Sequence, residues 1–204
     1  MTFLHPQDRT RSCNRIGSLV EKLFVEHMEK NGFAKISYSK KDDMENNIDF
    51  TATYPCDKKR TFQIKGPKQL YRRDDDPIYT NTHLMVEISL NQGMRDGWLF
   101  KGFPDYIIFY RKHDAISLNT EAFREFCVDN INWKAPPLKY YKDYRIRLRE
   151  SNKFHGTEEL SLIPISDILS SITEGNKGYR IFKHSGLNIT TNEDVKETDP
   201  FDFM

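Results

Sequence analysis

The sequence predicts an α/β fold in which helices pack on a mixed central β-sheet. Three observations predict it: an amphipathic helix near the N-terminus, several segments with apolar residues at alternate positions, and a second helical segment after a buried apolar run. At 204 residues the chain fits a single domain of residues 1–185, followed by an acidic, disordered tail of residues 186–204.

The first predicted element is a helix from Asn14 to Lys30, where Asn14 suits the N-cap and the Asn-Gly pair after Lys30 suits the end. Its apolar residues recur three and four positions apart, at Ile16, Leu19, Val20, Leu23, Phe24 and Met28. A short strand is expected at residues 34–39. The charged segment 40–47, KKDDMENN, has no apolar period and predicts a loop.

A β-hairpin follows in the stretch NIDFTATYPCDKKRTFQIKG, residues 47–66. Apolar residues alternate with polar ones on both sides of a Pro-containing turn at residues 55–58, which is typical of two paired strands. The core face would carry Ile48, Phe50, Phe62 and Ile64. Asp49 would then lie opposite Gln63 or Lys65, and all three side chains would project from the other face.

The remaining elements follow the same two periods. After a polar loop at residues 67–80, we expect strands at 83–90 and 105–110, a helix at 120–130, a strand or extended arm at 138–148, a strand at 160–163 and a helix at 166–172. Beyond about residue 184 the chain becomes polar and is expected to be disordered.

The hairpin carries a chemically specific combination of side chains. A carboxylate facing an amide carbonyl and a lysine suits a metal-dependent phosphodiesterase, since Mg²⁺ and Mn²⁺ prefer oxygen ligands. Asp49 would bind the metal directly, and Gln63 would be a weaker, neutral ligand. Lys65 would orient or deprotonate the attacking water, or offset charge on the phosphate. The alternative is a solvated polar face, which any half-buried sheet presents.

The pattern of Asp49, thirteen residues, then Gln63-Ile64-Lys65 resembles the PD-(D/E)XK nuclease superfamily. The helix segment GSLVE, which ends at Glu21 and is followed by Gly32-Phe33, resembles the opening helix of archaeal-type Holliday junction resolvases.

Later segments are similar to small phage and bacterial members of the superfamily. They are Met85 to Ile88 (MVEI), Gly97 to Leu99 (GWL) and Asp105 to Ile108 (DYII). Taken together, the resemblance covers roughly residues 14–112. Within the segment that carries the resemblance, Trp98 and Asp105 are expected to have structural rather than catalytic roles.

This resemblance implies a restriction-endonuclease-like fold and Mg²⁺- or Mn²⁺-dependent cleavage of nucleic acid, with DNA favoured over RNA. It also implies that Glu21 reaches the metal site. Glu87, on the next strand, is a second candidate. Gln63 stands where the family commonly has an acid, so Glu21 or Glu87 would supply the missing charge. Relatives of the resolvase kind are often homodimers. The alternative is a catalytically inactive member that binds nucleic acid or a protein, such as a virus-encoded protein that binds a host enzyme.

Two basic stretches are candidates for phosphate contacts. The first has seven bases and no acid between residues 58 and 73: Lys58, Lys59, Arg60, Lys65, Lys68, Arg72 and Arg73. The second, between residues 133 and 149, interleaves bases with aromatic residues that could stack on unpaired bases. Its main cations are Lys142, Arg145, Arg147 and Arg149. The alternative is a solvated basic face.

Composition limits the remaining classes. No apolar run reaches the length of a membrane span, the first residues lack the apolar core of a signal peptide, and the three cysteines are scattered. These features predict a cytoplasmic protein. Residues 191–204 carry a net charge of −4 against about +5 for the rest. They end in acids flanking two phenylalanines, so the tail is a candidate for binding a protein partner or for covering the chain's own basic groove.

Overall fold

The computed structural model describes residues 6–33, 35–67, 82–90, 95–131, 147–150, 157–175 and 177–184. The predicted tail and most of the predicted arm at 138–148 lie outside these residues. Within the described part of the chain, no helix is both long enough and apolar enough to cross a membrane.

Four helices and ten strands make up the described fold. The helices are α1 (Pro6–Lys30), α2 (Lys40–Asn46), α3 (Thr120–Asn130) and α4 (Ile165–Ser171). The strands are β1 (Lys35–Ser37), β2 (Phe50–Thr53), β3 (Lys59–Lys65), β4 (His83–Leu90), β5 (Arg95–Asp96), β6 (Tyr106–Tyr110), β7 (Asp114–Asn119), β8 (Arg147–Glu150), β9 (Thr157–Pro164) and β10 (Tyr179–Lys183).

The strands form two sheets. The larger has six strands in the order β1-β2-β3-β6-β7-β10 and is mixed, because β3 and β6 are parallel while the other neighbours are antiparallel. The smaller has four antiparallel strands in the order β5-β4-β9-β8. The chain therefore leaves the larger sheet after β3, builds β4 and β5, and returns at β6.

Helix α1 covers one face of the six-stranded sheet. Its buried stripe of Val20, Phe24 and Met28 packs on the strand residues Phe50, Ala52, Phe62, Ile64, Ile108, Tyr110 and Ala115. Phe24 is fully buried, with its ring 5.1 Å from those of both Phe50 and Phe62. Helix α1 ends where Gly32 takes a φ of 78°, a left-handed conformation that costs glycine little.

The opposite face of the same sheet is also buried. Alternate strand residues, such as Ile107, Phe109 and Leu118, face a second core formed with α3, α4 and the apolar face of β4. Both faces of the central sheet are thus covered, and Gln63, a polar residue in the middle of β3, is buried rather than on the surface.

Asp105 fixes β6 against β3. Its carboxylate accepts hydrogen bonds from the Thr61 backbone N–H at 2.8 Å and the Thr61 hydroxyl at 3.0 Å, and it pairs with Arg60 at 3.6 Å. The Asp105 N–H donates to the Thr61 hydroxyl oxygen at 2.9 Å. These contacts hold the parallel register in which Phe62 faces Tyr106.

Several predictions of the fold are confirmed. The chain is mixed α/β with a central mixed sheet flanked by helices. The predicted strand at 83–90 and helix at 120–130 have the observed bounds, and the hairpin turns at 55–58. The strand expected at 160–163 is longer than predicted, because it pairs with both β4 and β8.

Other predictions are wrong. Helix α1 begins at Pro6 rather than at Asn14. Residues 40–46 are helix α2 rather than a loop, since Ser39 caps it by accepting the Asp42 N–H at 3.2 Å. Ile48 is only half-buried, because it precedes β2 instead of lying in it. Strands β5, β7 and β10 and the separate second sheet were not predicted.

Candidate functional site

The hairpin of β2 and β3 places Asp49 opposite Gln63. Phe50 pairs with Phe62 across the two strands, so the register puts Asp49 one step further, beside Gln63 rather than Lys65. The Asp49 N–H donates to the Phe62 carbonyl at 2.9 Å. Its carboxylate accepts the Ile64 N–H at 2.6 Å. Asp49 is therefore held on β3 through both its backbone and its side chain.

Gln63 is buried without partners. It is 1% exposed, and neither the oxygen nor the nitrogen of its side-chain amide has a hydrogen-bond partner among the described residues. Leaving such a group unsatisfied costs about 1–3 kcal/mol. A solvated polar face therefore does not describe Gln63.

Lys65 lies two residues further along β3 and contacts Trp98. Its Nζ is 4.7 Å from the centre of the Trp98 ring, a favourable cation–π distance. Trp98 is buried and held at both backbone groups: its N–H donates to a Glu87 carboxylate oxygen at 3.2 Å, and its carbonyl accepts from the Asn47 side chain at 3.2 Å. The predicted structural role of Trp98 thus includes positioning Lys65.

Glu87 lies on β4, in the second sheet, and reaches the site through Trp98. Besides accepting the Trp98 N–H, it accepts the Leu99 N–H on its own carbonyl at 3.2 Å. Gly97 lies so close to this strand that a Cβ there would be 2.6 Å from the carbonyl carbon of Ile88. Glu87 therefore holds the loop that carries Trp98.

Two further carboxylates act on Asp49. Glu21 is exposed on α1, and Asp43 lies on α2. Burial, and then the charge of Asp43, raise the pKa of Glu21. The Tyr38 hydroxyl donates to Asp43 at 3.3 Å, and the Tyr38 pKa is raised by desolvation first and then by Asp43, Glu21 and Asp49. Three acids from three elements thus share one electrostatic environment.

The same environment raises the pKa of Asp49 to about 6, from an ordinary value of 3.8. Desolvation is the largest cause, and the charges of Asp43 and Glu21 add to it. The hydrogen bond from Ile64 and the charge of Lys65 act in the opposite direction. Because these carboxylates repel one another, a cation bound near them would be stabilised.

The raised pKa of Asp49 predicts that the free energy of unfolding depends on pH. Because its pKa is higher in the folded chain than in the unfolded one, its contribution to stability is present below about pH 3.8 and is lost as the pH rises through about 6. The loss is of the order of 2–3 kcal/mol. Asp49→Asn keeps an acceptor for Ile64 without ionising. We expect urea unfolding to show that this variant gains stability over the parent between pH 4 and pH 7. A constant difference across that range would contradict the shift.

The donor set fits a hard divalent cation in its chemistry. Asp49 offers a carboxylate, Gln63 an unpartnered amide carbonyl and Glu21 a nearby charge. In the part of the chain that the structure describes, no three or more His, Cys, Asp or Glu side chains are grouped closely enough to hold a metal by themselves. Mg²⁺ does not require such a group, because it commonly keeps several waters and uses one or two carboxylates with substrate phosphates.

The first basic stretch lies largely away from Asp49. Lys58 and Lys59 are exposed at the hairpin turn, and Arg60 pairs with Asp105. Since a strand rises about 3.3 Å per residue, Lys59 is about 20 Å from Lys65 along β3. The structure brings together Asp49, Gln63 and Lys65, and leaves these three bases at the far end of the hairpin.

The other predicted phosphate contacts are only partly described. Arg147 and Arg149 lie on β8, where they pair with Leu160 and Glu158 of β9. The remaining bases lie outside the described residues: Lys68, Arg72, Arg73, Lys142 and Arg145.

Sequence reasoning missed Asp43 as a member of the site because it placed residue 43 in a loop. One available signal was Ser39, three residues before Asp42 and followed by seven residues of helix. A serine followed three positions later by an acid is a helix-start pattern. Tyr38 and Asn47, which flank α2, gave no local signal, because their contacts depend on tertiary packing.

Comparison with protein-family models, with curated proteins and with solved structures found no match for this chain.

Proposed function

We propose that the protein is a Mg²⁺- or Mn²⁺-dependent nuclease that hydrolyses phosphodiester bonds in nucleic acid, with DNA favoured over RNA. The observation that carries the proposal is the buried amide of Gln63, which has no hydrogen-bond partner among the described residues, with Asp49 opposite it and Lys65 two residues beyond. A sheet face with no ligand would not need an orphaned amide beside a carboxylate of raised pKa.

Asp49 and Gln63 would hold the metal, and Glu21 would contribute charge from α1. When bound, Mg²⁺ polarises the phosphate and lowers the pKa of water. Glu87 has a weaker claim as a ligand, because its carboxylate already accepts the Trp98 N–H. Among the predicted metal-binding residues we therefore favour Glu21 over Glu87.

Lys65 serves the reaction through its ammonium group. It can orient the attacking water, or offset the charge that develops on the phosphate. The Trp98 ring, 4.7 Å from the Lys65 Nζ, would help to hold that group in place before substrate binds. Preorganised charge of this kind lowers a barrier without reorganisation cost.

The finer fold assignment, restriction-endonuclease-like, is part of the same proposal. It is supported by α1 packing on a mixed sheet whose second and third strands carry the candidate site. The DNA-binding surface would include Arg147 and Arg149 of β8, and the C-terminal tail would bind a protein partner. A homodimer, as in resolvase-like relatives, would supply a second copy of each surface.

A second candidate function is a non-catalytic protein of the same fold that binds nucleic acid or a protein partner. One observation favours it: Gln63 stands where a carboxylate would complete the metal ligands, and the described residues contain no ready-made cluster of acidic, histidine or cysteine ligands. Such a protein would keep the basic surfaces and would not bind metal at Asp49.

The test is a calorimetric Mn²⁺ titration of the full chain, followed by cleavage assays on duplex, branched and single-stranded DNA and on RNA. We expect Mn²⁺ to bind and at least one substrate to be cut only when the metal is present. A protein that binds nucleic acid but neither binds Mn²⁺ nor cuts any substrate would establish the second function instead.

A further inference from the structure

The buried amide of Gln63 leaves the proposed metal centre short of one negative charge. Its two polar atoms have no hydrogen-bond partner in the described part of the chain and 1% of the residue is exposed, so a ligand would meet a dipole where an acid would give a full charge. A dication bound there would be stabilised by any nearby anion, because charges interact more strongly in a poorly solvated environment. The question is which other residue provides it.

Asp43 is brought to this place by the end of α2. Asn47 adopts a left-handed conformation, with φ 57°, and its N–H donates to the carbonyls of Asp42 and Asp43. The Ile48 N–H donates to the Asp42 carbonyl at 3.2 Å. The chain therefore reverses within two residues, and Asp49 enters the hairpin close to the helix that carries Asp43.

The Asp43 carboxylate is held there by Tyr38. The Tyr38 hydroxyl donates to it at 3.3 Å, and the Tyr38 ring lies 6.2 Å from that of Phe50, the residue after Asp49. The charge of Asp43 is among the causes of the raised pKa values of both Asp49 and Glu21. The charge of Asp43 thus acts on both of the acids that the sequence had already identified.

We propose that Asp43 supplies, through its charge, the anion that Gln63 leaves out of the metal centre. This inference rests on the proposed function. Asp43 would act through its charge and through metal-bound water rather than as a direct ligand. The reason is that no three acids among the described residues lie close enough together to bind one metal ion directly. Its carboxylate would accept hydrogen bonds from the metal's remaining waters, which Mg²⁺ gives up reluctantly.

A purely structural role makes a different prediction. Asp43 lies in the first turn of α2, where an acid stabilises a helix through the helix dipole. If that were its only function, removing the charge would destabilise α2 by the same amount, whatever residue stood at position 63. If Asp43 instead replaces a missing carboxylate, removing its charge should weaken metal binding more in the parent, which has Gln63, than in the Gln63→Glu variant.

The test is a double-mutant cycle of Asp43→Asn and Gln63→Glu, read as Mn²⁺ affinity by calorimetry on the full chain. We expect Gln63→Glu to tighten binding about tenfold and Asp43→Asn to weaken it about tenfold. In the Gln63→Glu background, Asp43→Asn should weaken binding less than about threefold. Glu45→Gln is the matched control, since it removes one exposed acid from the same helix, and it should leave the affinity unchanged.

Two outcomes would overturn the inference, and they are distinguishable. In the first, the parent binds Mn²⁺, and Asp43→Asn either leaves the affinity unchanged or lowers it by the same factor in both backgrounds. Asp43 then does not replace the missing charge, and the proposed nuclease function stands. If the parent binds no Mn²⁺, the proposed function fails and the role of Asp43 fails with it.

Discussion

Asp49→Ala is expected to abolish both metal binding and cleavage. Asp49 is the proposed anionic ligand, and the charges of Lys65, Asp43 and Glu21 all act on it. Removing it leaves the neutral carbonyl of Gln63 and more distant acids. We expect the Mn²⁺ affinity measured by calorimetry to fall at least about 100-fold, and cleavage to fall to the level without enzyme.

A control for folding is needed, because Asp49 also accepts the Ile64 N–H. An orphaned backbone donor costs about 1–3 kcal/mol. Asp49→Asn retains an acceptor for that N–H and loses only the charge, so it should be equally inactive while unfolding at parental or higher urea concentration at pH 7. Cleavage at the parental rate in either variant would remove Asp49 from the chemistry.

Lys65→Ala is expected to separate catalysis from metal binding. In the proposed mechanism Lys65 acts on the water or the phosphate, so its loss should lower the cleavage rate at saturating metal by about 100-fold or more. The Mn²⁺ affinity should stay within a few-fold of the parent and could tighten, because a cation has been removed from the neighbourhood of Asp49.

Lys59→Ala is the matched control for Lys65→Ala. Both lysines lie on β3, at its two ends, and Lys59 is exposed at the hairpin turn. We expect Lys59→Ala to leave the rate at saturating metal and substrate unchanged. Equal rate losses in the two variants would indicate a general effect of positive charge on substrate binding, and would count against a catalytic Lys65.

The part of the site that lies on the hairpin could be predicted because it is local. A strand period of two and a Pro-containing turn place Asp49 opposite Gln63 or Lys65 with no further information, and the observed register selects Gln63. Glu21, by contrast, was a candidate because the family resemblance implies it, and its place at the border of the apolar stripe of α1 agreed with that. Local periodicity thus found the residues whose positions depend on sequence neighbours.

The rest of the site depends on contacts between distant segments. Trp98 meets Lys65 only because β4, β5 and the following loop pack over β3, and no local pattern specifies which strands pair. The pairing of β4 with β9 joins residues about 75 positions apart in sequence. Gln63 illustrates the same limit: alternation predicted its face correctly, but a second core, rather than solvent, covers that face.

The excursion of the chain between β3 and β6 has a consequence for the order of folding. The β2–β3 hairpin closes a loop of five residues, 54–58, whereas the parallel pairing of β3 with β6 must close forty, residues 66–105. The longer closure costs about 2 kcal/mol more in chain entropy. Amides of the hairpin should therefore gain protection from hydrogen exchange earlier in refolding than those of β6. Asp49 and Gln63 would meet while Lys65 still lacks its aromatic cover, so the chain would pass through a stage that has the proposed metal ligands but lacks the proposed position of Lys65.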